Sequence, residues 1–212
     1  MTFFPIVPPA ASSVAPSYSF RGFTQNTANL TTYTFSSHDI GTAAATRRVV
    51  VCAYGIGGSA TSATCTVGGI SATALVTATL QFYSPGYIFI AEVPTGTTAD
   101  IVVTFSAGAV ACGVAVYAVY DLTSSSAVDT GSGTGSFNDT LTSVNPGVAI
   151  GCSLLNAAAG SAWTNLTEDH DTVVETASQM SSAAVLTSAT SINIQRSPTA
   201  ANNNTTICVT LQ

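Results

Sequence analysis

The chain has 212 residues, 46% of them hydrophobic but only 7% charged, against a usual charged fraction of about 25%. Its surface must therefore be built from Ser, Thr, Asn, Ala and Gly. There is no Lys, four Arg (Arg21, Arg47, Arg48, Arg196) stand against ten acids, and the net charge is -6, which leaves too few cations to neutralise nucleic-acid phosphates and removes Lys-based Schiff-base and Walker-loop chemistry.

Residues 1–16 hold Phe3, Phe4, Ile6 and Val7 among Pro5, Pro8, Pro9 and Pro16. Proline withholds the N–H that a ladder needs, so this stretch reads as an extended arm. Its large apolar side chains need burial, on the chain's own domain or on a neighbouring subunit. We take Phe3, Phe4, Ile6 and Val7 as the partner-contact residues. The start lacks the basic, unbroken apolar pattern of a signal peptide, and no apolar run approaches the length of a membrane-spanning helix, so a soluble, non-secreted protein is expected.

Beyond the arm the patterns are those of strands. Residues 47–54 and 87–93 are almost continuously apolar, as in central strands covered on both faces. Gly55-Ile56-Gly57-Gly58-Ser59-Ala60 fits a loose dinucleotide fingerprint, yet no helix pattern follows and the next acid is Glu92, so it reads as a turn. Gly68-Gly69 joins two strand patterns as a two-residue hairpin, because glycine tolerates the positive φ of a primed turn.

Ile101, Val103 and Phe105 alternate with Val102 and Thr104, predicting a strand with one apolar face. Residues 124–136, rich in Gly, Ser and Thr, read as a long exposed loop or a weak edge segment. Val148, Ile150, Cys152 and Leu154 alternate with Ala149, Gly151 and Ser153, and Ile207, Val209 and Leu211 alternate with Thr206, Cys208 and Thr210. No helical period appears anywhere. About ten to twelve strands at short spacing predict an all-β, antiparallel β-sandwich or jelly-roll-like single domain over 21–212, preceded by an arm over 1–20.

Candidate chemistry is sparse. Thr167-Glu168-Asp169-His170-Asp171 has oxygens suited to calcium and a His suited to a transition metal, but in no defined spacing, and it reads as a solvated acidic turn. A Ser-His-Asp or zinc hydrolase would have to be assembled from His38, His170 and scattered acids, and Asp121, Asp129 and Asp139 form a glycosidase pair only if folding brings two together. Trp163 beside Thr164-Asn165 suits stacking on a sugar ring, although packing is the commoner role. Cys52, Cys65, Cys112, Cys152 and Cys208 lie in strand-like contexts and read mostly as small buried hydrophobes, with a disulfide as the alternative. No catalytic residue, cofactor or metal is assigned.

Three stretches taken in order, residues 41–51 (Gly-Thr-Ala-Ala-Ala-Thr-Arg-Arg-Val-Val-Val), 67–74 (Val-Gly-Gly-Ile-Ser-Ala-Thr-Ala) and 93–103 (Val-Pro-Thr-Gly-Thr-Thr-Ala-Asp-Ile-Val-Val), resemble small virion proteins of tailed phages and prophages. Cys112-Gly113-Val114, Tyr117, Tyr120 and Trp163 with Leu166-Thr167-Glu168 extend the likeness over residues 30–176. The resemblance implies a non-enzymatic structural piece of the virion, either a capsid decoration (cement) protein or a tail or fibre component that binds a receptor or glycan. It implies as partners the major capsid protein, or tail proteins, and further copies of the chain, with a trimer favoured. Nucleic acid and membrane are not expected as partners.

Overall fold

The computed structural model describes residues 14–79, 85–157, 160–175, 178–198 and 204–212. Among them are seventeen strands and no helix, so the chain is all-β. Its first half contains β1 (Ser17–Asn26), β2 (Leu30–Asp39), β3 (Arg48–Ile56), β4 (Ala63–Val67), β5 (Ile70–Ser71), β6 (Thr73–Ala78), β7 (Gly86–Glu92), β8 (Thr98–Ala109) and β9 (Ala111–Tyr120). Its second half contains β10 (Asp129–Thr134), β11 (Phe137–Thr142), β12 (Gly147–Leu155), β13 (Ser161–Thr164), β14 (Thr167–Glu175), β15 (Ser178–Thr187), β16 (Ser191–Pro198) and β17 (Asn204–Leu211).

Every ladder is antiparallel. The first half forms an inner sheet in the order β1-β9-β3-β7-β6 and an outer sheet in the order β2-β8-β4-β5. The second forms an inner sheet β10-β17-β12-β15-β14 and an outer sheet β11-β16-β13. Substituting strand for strand along the chain, the second half repeats the first, and only the two-residue β5 lacks a counterpart. Packing between the halves repeats as well: β14 lies on β1 and β9 just as β6 lies on β10 and β17. The chain therefore contains the self-complementary contact of a twofold dimer within one polypeptide.

The four sheets stack in layers with a core in each gap. Between the inner sheets lie Val50, Cys52, Tyr54 and Ile56 of β3 with Val148, Ile150, Cys152 and Leu154 of β12. The opposite face of β3 sends Val49, Val51 and Ala53 into the first half's own core, while Phe137, Leu141, Ala149, Leu166 and Ile194 fill that of the second half. A strand buried on both faces has no reason to alternate, which accounts for the apolar runs at 47–54 and 87–93.

The alternation along β12 and β17 has a different cause from the one the pattern suggests. Ala149, Ser153, Thr206, Cys208 and Thr210 are buried too; their small side chains admit the outer sheet at close range. Gly151 shows this directly, since a Cβ there would stand 2.7 Å from Cζ3 of Trp163.

Gly68 and Gly69 make the expected hairpin, at φ of 59° and 78°, with Val67 paired to Ile70. Of segment 124–136, residues 129–134 form β10, an edge strand on β17, residues 124–128 belong to the link between the halves and 135–136 connect β10 to β11. Strand β1 starts at Ser17, inside the expected arm, and Pro16 is already buried. Phe3, Phe4, Ile6 and Val7 lie outside the described residues.

Candidate functional site

Two polar constellations stand out, one closed and one open. The closed one lies between the halves. The expected acidic turn at 167–171 is instead part of β14, where a bulge between Glu168 and His170 turns the chain and directs its polar groups inward. Oη of Tyr117 lies 2.9 Å from Oδ2 of Asp169 and 2.6 Å from Oγ of Ser182, and Nδ1 of His170 lies 2.8 Å from the same Oγ. A carboxylate only accepts, so the order that uses every proton runs from His170 Nδ1–H to Ser182, from Ser182 to Tyr117 and from Tyr117 to Asp169.

The His170 ring stacks on Phe23 at 4.5 Å and on Phe20 at 5.7 Å. Burial holds its pKa down at about 4 and pushes that of Asp169 up. Asp171 accepts from the Ser161 amide and from Nε2 of Gln179. Although Ser182, His170 and Asp169 are brought together, Asp169 is bonded to Tyr117 and not to the imidazole, and Ser182 is fully buried. A nucleophile so placed meets no substrate; the network joins the two halves.

The open constellation is a cleft of about 320 Å³ between β1 and β2, the edge strands of the two sheets in the first half. Each strand carries a bulge there. Arg21 is the extra residue of β1, between Phe20 and Gly22, and Ser36 and Ser37 interrupt β2 between Phe35 and His38. Bulges re-aim side chains at strand edges and near binding sites. Ser37 takes the left-handed conformation at φ 53°, and its amide donates to Oδ1 of Asp100 at 2.8 Å.

Nη2 of Arg21 is paired with Oδ2 of Asp39, whose other oxygen accepts from the Gly41 amide at 2.7 Å. The Arg21 hydrogen bond, followed by that of Gly41, holds the Asp39 carboxyl below the usual carboxylate range. Nε of Arg21 is buried without an acceptor among the described residues. Nδ1 of His38 lies 2.9 Å from the carbonyl of Asp39; a carbonyl only accepts, so Nδ1 carries a proton and donates it. Gly22 beside the His38 ring takes φ 124°, a backbone conformation that favours glycine.

The other sequence candidates take structural places. Gly57 and Gly58 form a bend after β3, and a Cβ on Gly58 would stand 2.1 Å from the carbonyl oxygen of Gly108, so the glycine is demanded by two backbones in close approach. Trp163 is half-buried, with Nε1 donating to Oγ of Ser181 at 3.2 Å and its ring against Gly151. Asp129 of β10 and Asp139 of β11 accept from the amides of Thr142 and Thr140. All five cysteines are free and buried. Among the described residues no three His, Cys, Asp or Glu side chains gather to hold a metal.

Sequence reasoning missed the cleft because its residues are unremarkable one by one; the signal available was the break in alternation at Phe20-Arg21-Gly22 and at Ser36-Ser37. Comparison with models of known protein families and with curated proteins finds no match.

Proposed function

We propose that the chain is a non-enzymatic virion structural protein, a decoration or cement subunit on the outer surface of a phage capsid. The observation that carries this reading is that two of the motifs behind the resemblance, residues 41–51 and 93–103, form one physical unit. Arg47, 1% exposed, donates from Nη1 to the Gly41 carbonyl at 2.6 Å, from Nε to that of Val93 at 2.7 Å and from Nη2 to that of Thr95 at 2.6 Å. Residues 41–51 and 93–103 are thus locked into one corner, so their joint occurrence has a structural reason.

Strand order lends further support. Counting the eight main strands of a half, the first, eighth, third, sixth and fifth share one sheet and the second, seventh and fourth the other, so that all but the fifth alternate between the sheets. This is the interleaving of a jelly roll, an architecture of capsid and lectin domains, and we read each half as one. The support is by analogy of fold. In this proposal the arm docks on the major capsid protein or on a sister copy through Phe3, Phe4, Ile6 and Val7. It leaves the described body at the seam between the halves, where Val14 is 69% exposed and Pro16 neighbours Asp121, Val144 and Pro146.

Immunogold labelling of intact particles with antibody to the purified chain tests the proposal. Label distributed over heads is expected. Label confined to tails moves the chain to the tail or fibre reading, and particles without label overturn both. A chain lacking residues 1–13 should keep its melting temperature and lose head occupancy or self-association.

A further inference from the structure

We propose that the cleft between β1 and β2 binds one residue of an uncharged saccharide, with Arg21, Asp39 and His38 reading its hydroxyls. The inference stands apart from the virion proposal, since binding can succeed or fail wherever the chain resides.

Three observations lead to it. Bulges alone would protect two edge strands from further pairing, but here the extra residues of both strands line the same cavity. That cavity offers donors and acceptors together: Arg21 and Asp39, with side chains 29% and 47% exposed, supply one of each, His38 adds an imidazole, and Thr24, Ser36 and Ser37 add hydroxyls. A sugar hydroxyl, which both donates and accepts, suits such a mixture. The volume of about 320 Å³ falls at the lower end of small-ligand sites, which span roughly 300 to 1,000 Å³, as one sugar ring requires.

Charge excludes the other classes. Arg21 is the cation of the cleft and already answers Asp39, while Asp100 stands behind Ser37, so an anion would face an excess of acid. A metal ion would have to displace the guanidinium from Asp39.

The test is protein-observed NMR of the full chain titrated with glucose, galactose, mannose and N-acetylglucosamine, with acetate and phosphate as anion controls. At least one sugar should give saturable, millimolar shifts centred on Thr24, Ser36 and His38. His38→Ala, at a half-exposed position, should keep the melting temperature and weaken that sugar about fivefold to tenfold, the equivalent of one good hydrogen bond. Ser36→Tyr, which fills the cleft, should abolish the shifts. The proposal is overturned if no sugar shifts these residues saturably, if only acetate or phosphate does, or if affinity is unchanged in both variants.

Discussion

The guanidinium of Arg47 and the carbonyl of Gly41 meet at 2.6 Å in the core of the first half, and the contact stands in for an ion pair. Three backbone carbonyls, from Gly41, Val93 and Thr95, take the place of a carboxylate. Gly41 occupies φ 81°, where a Cβ would stand 2.7 Å from Oη of Tyr120, so the corner depends on the absence of a side chain at one end and a rigid fork at the other.

Arg47→Ala would strand the buried carbonyls of Gly41 and Val93 and free the part-buried one of Thr95, and is expected to cost about 3 kcal/mol, the low end of the range for breaking a buried charged network. Arg47→Lys keeps the charge but cannot reach three carbonyls in one plane, and should recover only part of that loss. Urea unfolding monitored by Trp163 fluorescence measures both. A lysine variant as stable as the parent would show that charge, and not the fork, holds the corner.

Gly86 opens β7 and leaves room for Tyr54, whose Cε1 would lie 1.9 Å from a Cβ there. Tyr54 is fully buried and donates to the carbonyl of Cys152 at 3.3 Å, across the seam between the halves. Gly86→Ala should therefore overpack the middle core and cost about 3 kcal/mol. Adding Tyr54→Leu should return part of that cost, so the double variant is less destabilised than the two single losses summed. Simple additivity in thermal melting would place the strain elsewhere.

Trp163→Ala should destabilise by about 2 to 3 kcal/mol, below the usual cost for a fully buried ring because this one is half-exposed. Its contacts with Gly151 and Ser181 are lost together. Sugar titration of the β1–β2 cleft should be unaffected, as Trp163 belongs to the outer sheet of the other half. A fall in saccharide affinity at constant melting temperature would instead make Trp163 a binding residue.

What could be read from the chain alone follows from what each residue touches locally. Continuous apolar runs marked β3 and β7 as central because both their faces meet bulky side chains, and Gly68-Gly69 marked its hairpin because both positions need positive φ. The second half hid its layers: Ala149, Gly151, Thr206 and Thr210 resemble a solvent face, whereas they are small to let the outer sheet approach. Repetition was invisible for a related reason. The halves share strand order and not residues, as β3 carries Val-Val-Val-Cys-Ala-Tyr where β12 carries Val-Ala-Ile-Gly-Cys-Ser. The cluster at 167–171 was misplaced because its acids find partners far away in sequence, Tyr117 for Asp169 above all.

That burial has a consequence for pH. His170 takes up a proton at about 4 in the folded chain against 6.5 for a free imidazole, because desolvation penalises the charged ring. As pH falls below 6.5 the unfolded chain binds a proton that the folded chain refuses, so stability falls until the folded ring also titrates near 4. The shift corresponds to about 3 kcal/mol at most. Asp169, whose pKa burial raises, acts in the opposite sense: it is protonated more readily when folded, which relieves a penalty as pH drops. Tyr117 and Tyr18 face the same seam but ionise only at high pH, Tyr117 having its pKa raised first by burial and Tyr18 likewise. His170→Gln separates the imidazole from the carboxyl. Urea midpoints of the parent should fall between pH 6.5 and about 4 more steeply than those of the variant, with the two curves converging in slope below that window. Parallel curves across the window would mean that His170 does not carry the acid sensitivity of the seam.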